Sequence, residues 1–143
     1  MKLKISAALL ERLETYLESH YPDEAAGLLL GKSVQAEQGE ILDLYMLENN
    51  FEEQERYHRY KIEGLDMLRA EDAAAERDLH ILGVFHSHPD HPSRPSEYDR
   101  EYALPWFTYL ITSIESGRAA ESQAWQLAED RSGFNKTELE IKP

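Results

Sequence analysis

Residues 86–99 read His-Ser-His-Pro-Asp-His-Pro-Ser-Arg-Pro-Ser-Glu-Tyr-Asp. Inside this run lie His86-x-His88, seven intervening residues, and Ser96-x-x-Asp99. Two imidazoles and a carboxylate are donor types suited to a borderline divalent cation such as Zn2+. Three protein donors instead of four leave one coordination position open, which separates a catalytic zinc from a structural one. The same Ser96-x-x-Asp99 is also a helix N-cap pattern, with the Ser hydroxyl on a backbone N–H and an acid at the third helical position. Taken alone, it leaves both readings open. His91 sits among prolines and reads as a solvated loop residue, while His20, His58 and His80 have no partner at ligand spacing. All four are expected to be structural or surface residues.

Metal-assisted hydrolysis also needs a carboxylate to move the proton of the attacking water. The best-placed acid is Glu24 in Tyr21-Pro22-Asp23-Glu24-Ala25-Ala26-Gly27-Leu28-Leu29-Leu30-Gly31, where an amphipathic helix gives way to an apolar strand. Asp23 is an equal rival by position, and an ordinary exposed turn acid is the plain alternative for either. The chain has no Cys, so a thiol nucleophile is excluded and any metal site is restricted to His and carboxylate donors.

These groups need elements to hold them. Leu79–Phe85 is apolar and partly β-branched, and Pro89 bounds the run, so it reads as a buried strand. Side chains alternate on a strand, which puts Val84, His86 and His88 on one face and turns Phe85 and Ser87 the other way. Pro89, Pro92 and Pro95 force an extended loop, after which a helix over about 97–103 swings Asp99 back toward the imidazoles. Ser6 is the expected N-cap of a helix reaching about His20, with Leu9, Leu10, Leu13, Tyr16 and Leu17 inward. Further strands are expected at 26–31, 41–47, 56–62, 107–114, 124–127 and 137–141. A helix is expected over 65–77, with Leu65, Leu68 and Ala75 inward. Strands and helices intermix without regular βαβ alternation, which predicts a mixed sheet with helices against it.

At 143 residues the chain is expected to form a single domain over 1–143, with a core of its own. Hydrophobic residues make up 41% and charged residues 30%, as in soluble globular proteins. A net charge of −13 argues against nucleic acid, since no basic patch is present to neutralise phosphates. No segment has the length of a signal peptide core or a membrane span. With the absence of Cys, this sets a cytoplasmic location as the expectation.

Glu24-x-x-Gly27 before a Leu-rich strand, then His86-Ser87-His88-Pro89 and Ser96-x-x-Asp99, resembles the JAMM (MPN+) family of zinc metalloproteases. The resemblance rests on residues 21–31 and 81–99. It implies that His86, His88 and Asp99 are the Zn2+ ligands. It implies that Glu24 is the general acid/base and that Ser96 hydrogen-bonds the developing oxyanion. For the fold it implies a three-layer α/β arrangement, a mixed β-sheet with flanking helices similar to cytidine deaminases. Deamination itself uses a His/Cys/Cys site and is unavailable without Cys.

The compact form and the 86–99 run resemble bacterial members associated with ubiquitin-like sulfur-carrier proteins that end in Gly-Gly. The substrate this implies is an amide bond at such a tail. An extended tail can bind beside a sheet edge, with glycines passing a narrow channel to the metal. Residues 49–60 are the expected recognition loop. A non-catalytic MPN scaffold and a zinc amidase on a small molecule or free peptide are the rival readings. A groove at the metal favours the protein tail, and a deep closed pocket favours the small molecule.

Overall fold

A computed structural model describes residues 2–35, 38–48, 60, 62–104 and 106–143. In chain order the elements are β1 (Lys2–Ser6), α1 (Ala7–His20), β2 (Ala26–Gln35), β3 (Gln38–Met46), α2 (Gly64–Glu76), β4 (His80–Pro89), α3 (Glu97–Tyr102), β5 (Thr108–Glu115), β6 (Arg118–Leu127) and β7 (Phe134–Lys142). The expected recognition loop at 49–60 and strand at 56–62 lie outside the described residues, apart from Tyr60 and Ile62.

The strands form one mixed sheet in the order β1-β3-β2-β4-β5-β6-β7. β1 runs parallel to both β3 and β7, which closes the sheet into a barrel. The mixed sheet with flanking helices is as expected, but the sheet closes into a ring, so the three-layer description is not confirmed. Each described strand pairs with two neighbours, but β1 meets β3 only at Gln38–Glu40, so β3 has β2 as its one ladder partner over residues 41–46. The closing strand β1 is absent from the sequence expectations. Its alternation covers only Leu3 and Ile5, both fully buried, and so short a pattern acquires meaning only from its two partners.

Side-chain alternation sends β-strand residues to two cores. Leu3, Ile5, Leu29, Phe85, Leu110 and Ile114 meet Leu10, Leu13 and Leu17 of α1. Leu28, Leu30, Val84 and Tyr109 meet Ala70 and Ala74 of α2 on the other face. Ser6 caps α1 as expected, its hydroxyl accepting from the Leu9 N–H at 3.1 Å.

The inner face of α2 differs from the expectation. Leu65 and Leu68 are more than half exposed, and Ala70 and Ala74 are the buried pair. At about 100° per residue the two stripes lie on opposite faces. The alanines win because their small side chains let the helix approach the sheet closely.

The parallel pair β4–β5 is also close. A Cβ at Gly83 would overlap the backbone carbonyl of Thr108, so only glycine fits there and the register Gly83↔Thr108 is held. That register carries through to His86↔Ile111 and His88↔Ser113. None of the helices among the described residues is long and apolar enough to cross a membrane.

Candidate metal centre

Strand β4 continues through His88 to Pro89, so both histidines are strand residues at its C-terminal end. Val84, His86 and His88 share one face, with His86 fully buried and His88 nearly so. Opposite His86 in the ladder is Ala26, the first residue of β2, which sets the preceding α1–β2 turn beside the imidazoles. That turn is tied down residue by residue. The Tyr21 hydroxyl donates to Asp90 at 2.5 Å, and the Asp23 N–H donates to the His20 carbonyl at 2.8 Å. The Ala25 N–H donates to Ser87 Oγ at 2.9 Å, and the Ser87 N–H returns a bond to the Ala25 carbonyl at 3.0 Å. Ser87 does point away from the imidazoles, and its hydroxyl fastens the residue next to Glu24. Gly27 follows because a Cβ there would collide with the Phe85 ring and the Tyr45 carbonyl.

Glu24 is buried at 4% exposure, whereas Asp23 is half-buried and outside the cluster. Tertiary structure thus separates two acids that position along the chain leaves equivalent. Replacing Ser87 with Ala is expected to lower stability by about 1–3 kcal/mol, because it orphans a buried N–H. Thermal unfolding checks this, and an unchanged midpoint would show that the bond is dispensable.

Asp99 arrives from the far side of the proline loop. Ser96 is the N-cap of α3, with Ser96 Oγ accepting from the Asp99 N–H at 3.1 Å and Asp99 Oδ2 accepting from the Ser96 N–H at 2.8 Å. This capping box fixes Asp99 while leaving the Ser96 hydroxyl proton free of it. At the other end of α3, the Arg131 guanidinium donates to the carbonyls of Arg100, Glu101 and Ala103 at 2.8–2.9 Å. Six residues are too few for a helix to stand alone, so its own capping box secures one end and Arg131 the other. No spacing in the sequence pointed to Arg131.

The four side chains then converge. Asp99 Oδ2 lies 3.1 Å from His88 Nε2, and Asp99 Oδ1 lies 3.4 Å from His86 Nε2. Glu24 Oε1 lies 3.5 Å from His86 Nδ1. One ligand atom from each of Glu24, His86, His88 and Asp99 falls within 4.8 Å of the others, and all four residues are buried. Donors about 2.1 Å from a tetrahedral Zn2+ stand about 3.4 Å apart, close to these spacings. His88 Nδ1 lies 2.8 Å from the Pro92 carbonyl, so it carries the proton and leaves Nε2 as a donor atom. His86 Nε2 is buried without a hydrogen-bond partner, an unmet need that a cation would satisfy. The group therefore fits a Zn2+ ion, with His86 Nε2, His88 Nε2 and Asp99 inward.

Burial disfavours the His86 imidazolium, but the Asp99 and Glu24 carboxylates outweigh it and raise the pKa above 6.5. Burial also opposes ionisation of Asp99, and there His86 and His88 prevail, holding the carboxyl well below its usual range. The carboxylate is thus available at any ordinary pH, while protons compete for His86. Zinc affinity is expected to weaken as pH falls, with the onset above the ordinary imidazole value. Chelator competition at stepped pH measures this. A constant affinity from pH 8 to 6 would contradict it.

Two tyrosines complete the surroundings. The Tyr60 ring stacks on His86 with centroids 4.6 Å apart, and the Tyr98 hydroxyl donates to the Tyr60 carbonyl at 3.2 Å. Burial first, then the Asp99 charge, push the Tyr60 phenol well above its usual value, so it stays neutral. Neither tyrosine was marked by the sequence pattern. Of the other histidines, His20 bonds the Tyr16 carbonyl, and His80 and His91 are exposed, all outside the cluster. His58 lies outside the described residues.

Two cavities flank the centre. One, of about 480 Å³, is lined by Tyr60, Val84, Tyr98, Asp99, Phe107 and Tyr109 among others, and is mainly apolar. The other, of about 490 Å³, is an open groove lined by Glu24, His88, His91, Arg94, Ser96 and Tyr98 with the loop prolines.

Comparison with known proteins follows the same line. The model of the Prok-JAB family, prokaryotic homologs of the JAB domain, matches residues 6–128. A desampylase of Pyrococcus furiosus is 28% identical over 106 residues, covering 74% of this chain and 68% of its own length. A Salinibacter ruber protein of known solution structure is 37% identical with a TM-score of 0.76, covering 98% of this chain and 91% of its own. A structure described as JAMM, a metalloprotease-like zinc site in the proteasome and signalosome, covers 100% of both chains with a TM-score of 0.60. At 20% identity that likeness is one of fold.

Proposed function

This chain belongs to the prokaryotic JAB-domain branch of the JAMM/MPN family, and on that premise we propose that it is a zinc-dependent peptidase or isopeptidase. Its substrate in this reading is an amide bond at the C-terminal Gly-Gly tail of a ubiquitin-like or sulfur-carrier protein. The observation that carries the reading is the buried Glu24, His86, His88 and Asp99 group with its unpartnered His86 Nε2, opening on a groove.

His86, His88 and Asp99 are assigned as the ligands, and Glu24 and Ser96 as the catalytic residues. When bound, Zn2+ supplies Lewis acidity toward a water and a carbonyl oxygen. Glu24 faces the groove, where its carboxylate takes a proton from the attacking water and passes one to the departing amine. The Ser96 hydroxyl, accepting from the Asp99 N–H, keeps its own proton for the oxygen that gains charge. His88 is kept in one tautomer by the Pro92 carbonyl, and Ser87 keeps the Glu24 turn against β4. The apolar cavity beside Asp99 suits a hydrophobic residue ahead of the glycines, which lack side chains and so pass the metal closely. The open groove favours a protein tail over a small molecule.

The test is incubation of the zinc-loaded chain with a ubiquitin-like protein carrying one residue beyond Gly-Gly, read by intact mass. Loss of that residue is expected, with none after chelation. An unchanged mass across several such carriers would sink the reading.

A further inference from the structure

Strands β5 and β6 turn a row of polar side chains toward the proline loop, and none of them has a part in the chemistry above. His88 stands opposite Ser113 in the β4–β5 ladder, and Ser113 stands opposite Glu121 in the β5–β6 ladder. Cross-strand partners share a face, and period-two alternation adds Gln123 and Trp125 to it. Ser113 is buried, and Gln123 and Trp125 are half-buried.

Three consecutive carbonyls of the loop are each held by a donor from a different strand. The His91 carbonyl accepts from Ser113 Oγ of β5 at 2.6 Å. The Pro92 carbonyl accepts from His88 Nδ1 of β4 at 2.8 Å. The Ser93 carbonyl accepts from Trp125 Nε1 of β6 at 2.9 Å. The Ser93 side chain is fully buried and engaged as well, its Oγ donating to Glu121 at 2.7 Å and accepting from Gln123 Nε2 at 2.9 Å.

The middle carbonyl is the one that matters to the metal. A ligating imidazole is oriented by the acceptor of its second ring nitrogen, which fixes both the tautomer and the direction of the donor atom. Here that acceptor belongs to the main chain, and Pro92 has no N–H by which to be anchored. Peptide planes are rigid, so the direction of the Pro92 carbonyl is set by the peptide units on either side. Those are the units that Ser113 and Trp125 hold.

We propose that Trp125 and Ser113 are positioning residues for the metal centre. By fixing the Ser93 and His91 carbonyls they aim the Pro92 carbonyl at His88 Nδ1, and so present His88 Nε2 to the cation. Glu121 and Gln123 assist through the Ser93 hydroxyl. Their effect on metal rests on the zinc reading proposed above.

The test is zinc affinity by chelator competition, beside the metal-free melting temperature. Trp125→Phe keeps a ring and loses the N–H, and Ser113→Ala loses the hydroxyl. Each is expected to weaken zinc binding about tenfold, as outer partners of a metal ligand do. Ser113→Thr keeps a hydroxyl and is expected to retain most of the affinity. Thr112→Val is the control, because Thr112 Oγ1 lies 2.7 Å from Ser122 Oγ on the opposite face of the same two strands. It is expected to lower the melting temperature about as much while leaving zinc affinity at the wild-type value. Unchanged affinity in both Trp125→Phe and Ser113→Ala, or an equal loss in Thr112→Val, would overturn the assignment. Nitrogen-15 NMR of the neutral His88 ring in the metal-free chain gives a readout independent of zinc. Wild type is expected to hold the Nδ1–H tautomer, and Trp125→Phe to show a mixture. If wild type takes up no zinc but this difference holds, the zinc reading fails and the positioning of His88 stands. The same single tautomer in both chains would overturn it.

Discussion

Replacing Glu24 with Gln is expected to lower kcat by about a thousandfold while zinc content stays at the wild-type level. The amide keeps the shape and packing of a side chain that is 4% exposed, so the α1–β2 turn and its bonds to Ser87 remain. What it loses is the ability to accept and return a proton, and positioned acid–base groups contribute about 10²–10⁴ in rate. In the proposed assignment His86, His88 and Asp99 form the ligand set without it, which is why metal and activity should part company in this variant. Elemental analysis beside turnover on a Gly-Gly-tailed carrier decides the matter. If zinc is lost together with activity, Glu24 is a ligand and the acid/base assignment fails.

The converse is expected of Asp99→Asn. Here zinc should fall from about one per chain to near none, with apparent affinity lower by about a hundredfold or more and activity undetectable. Asn can still accept from the Ser96 N–H, so the capping box and α3 survive, and the metal-free melting temperature should move by only a few degrees. The loss is specific because Asp99 spans both imidazoles, with its two oxygens 3.4 Å and 3.1 Å from His86 Nε2 and His88 Nε2. A neutral amide also leaves the cation with less compensating charge in a buried site. Full zinc occupancy in Asp99→Asn would remove Asp99 from the ligand set, and an unfolded variant would assign its importance to the fold instead. His88→Ala provides the second arm, since it deletes a donor without touching the cap.

Local chemistry made the histidines, the strand beneath them and the α1 cap readable in advance. Period-two alternation requires His86 and His88 to share a face, and the three prolines require an irregular loop before Ser96. Donor types limited to His and carboxylate follow from the lack of Cys alone. Each of these depends on neighbours within a few positions, which is the range over which a sequence speaks directly. The choice of Glu24 over Asp23 belongs to a different range, because it depends on Ala25 meeting Ser87 across 62 positions. Sheet closure through β1 depends on β3 and on β7 at the far end of the chain, and α2 buries alanines in place of leucines because of where the sheet lies. Tyr60 over His86 and Arg131 on α3 are likewise products of long-range juxtaposition. Residue types and short spacings thus determined which atoms can serve the chemistry. The tertiary structure decided which of them meet, since burial and charge act through distances in space that no local pattern encodes.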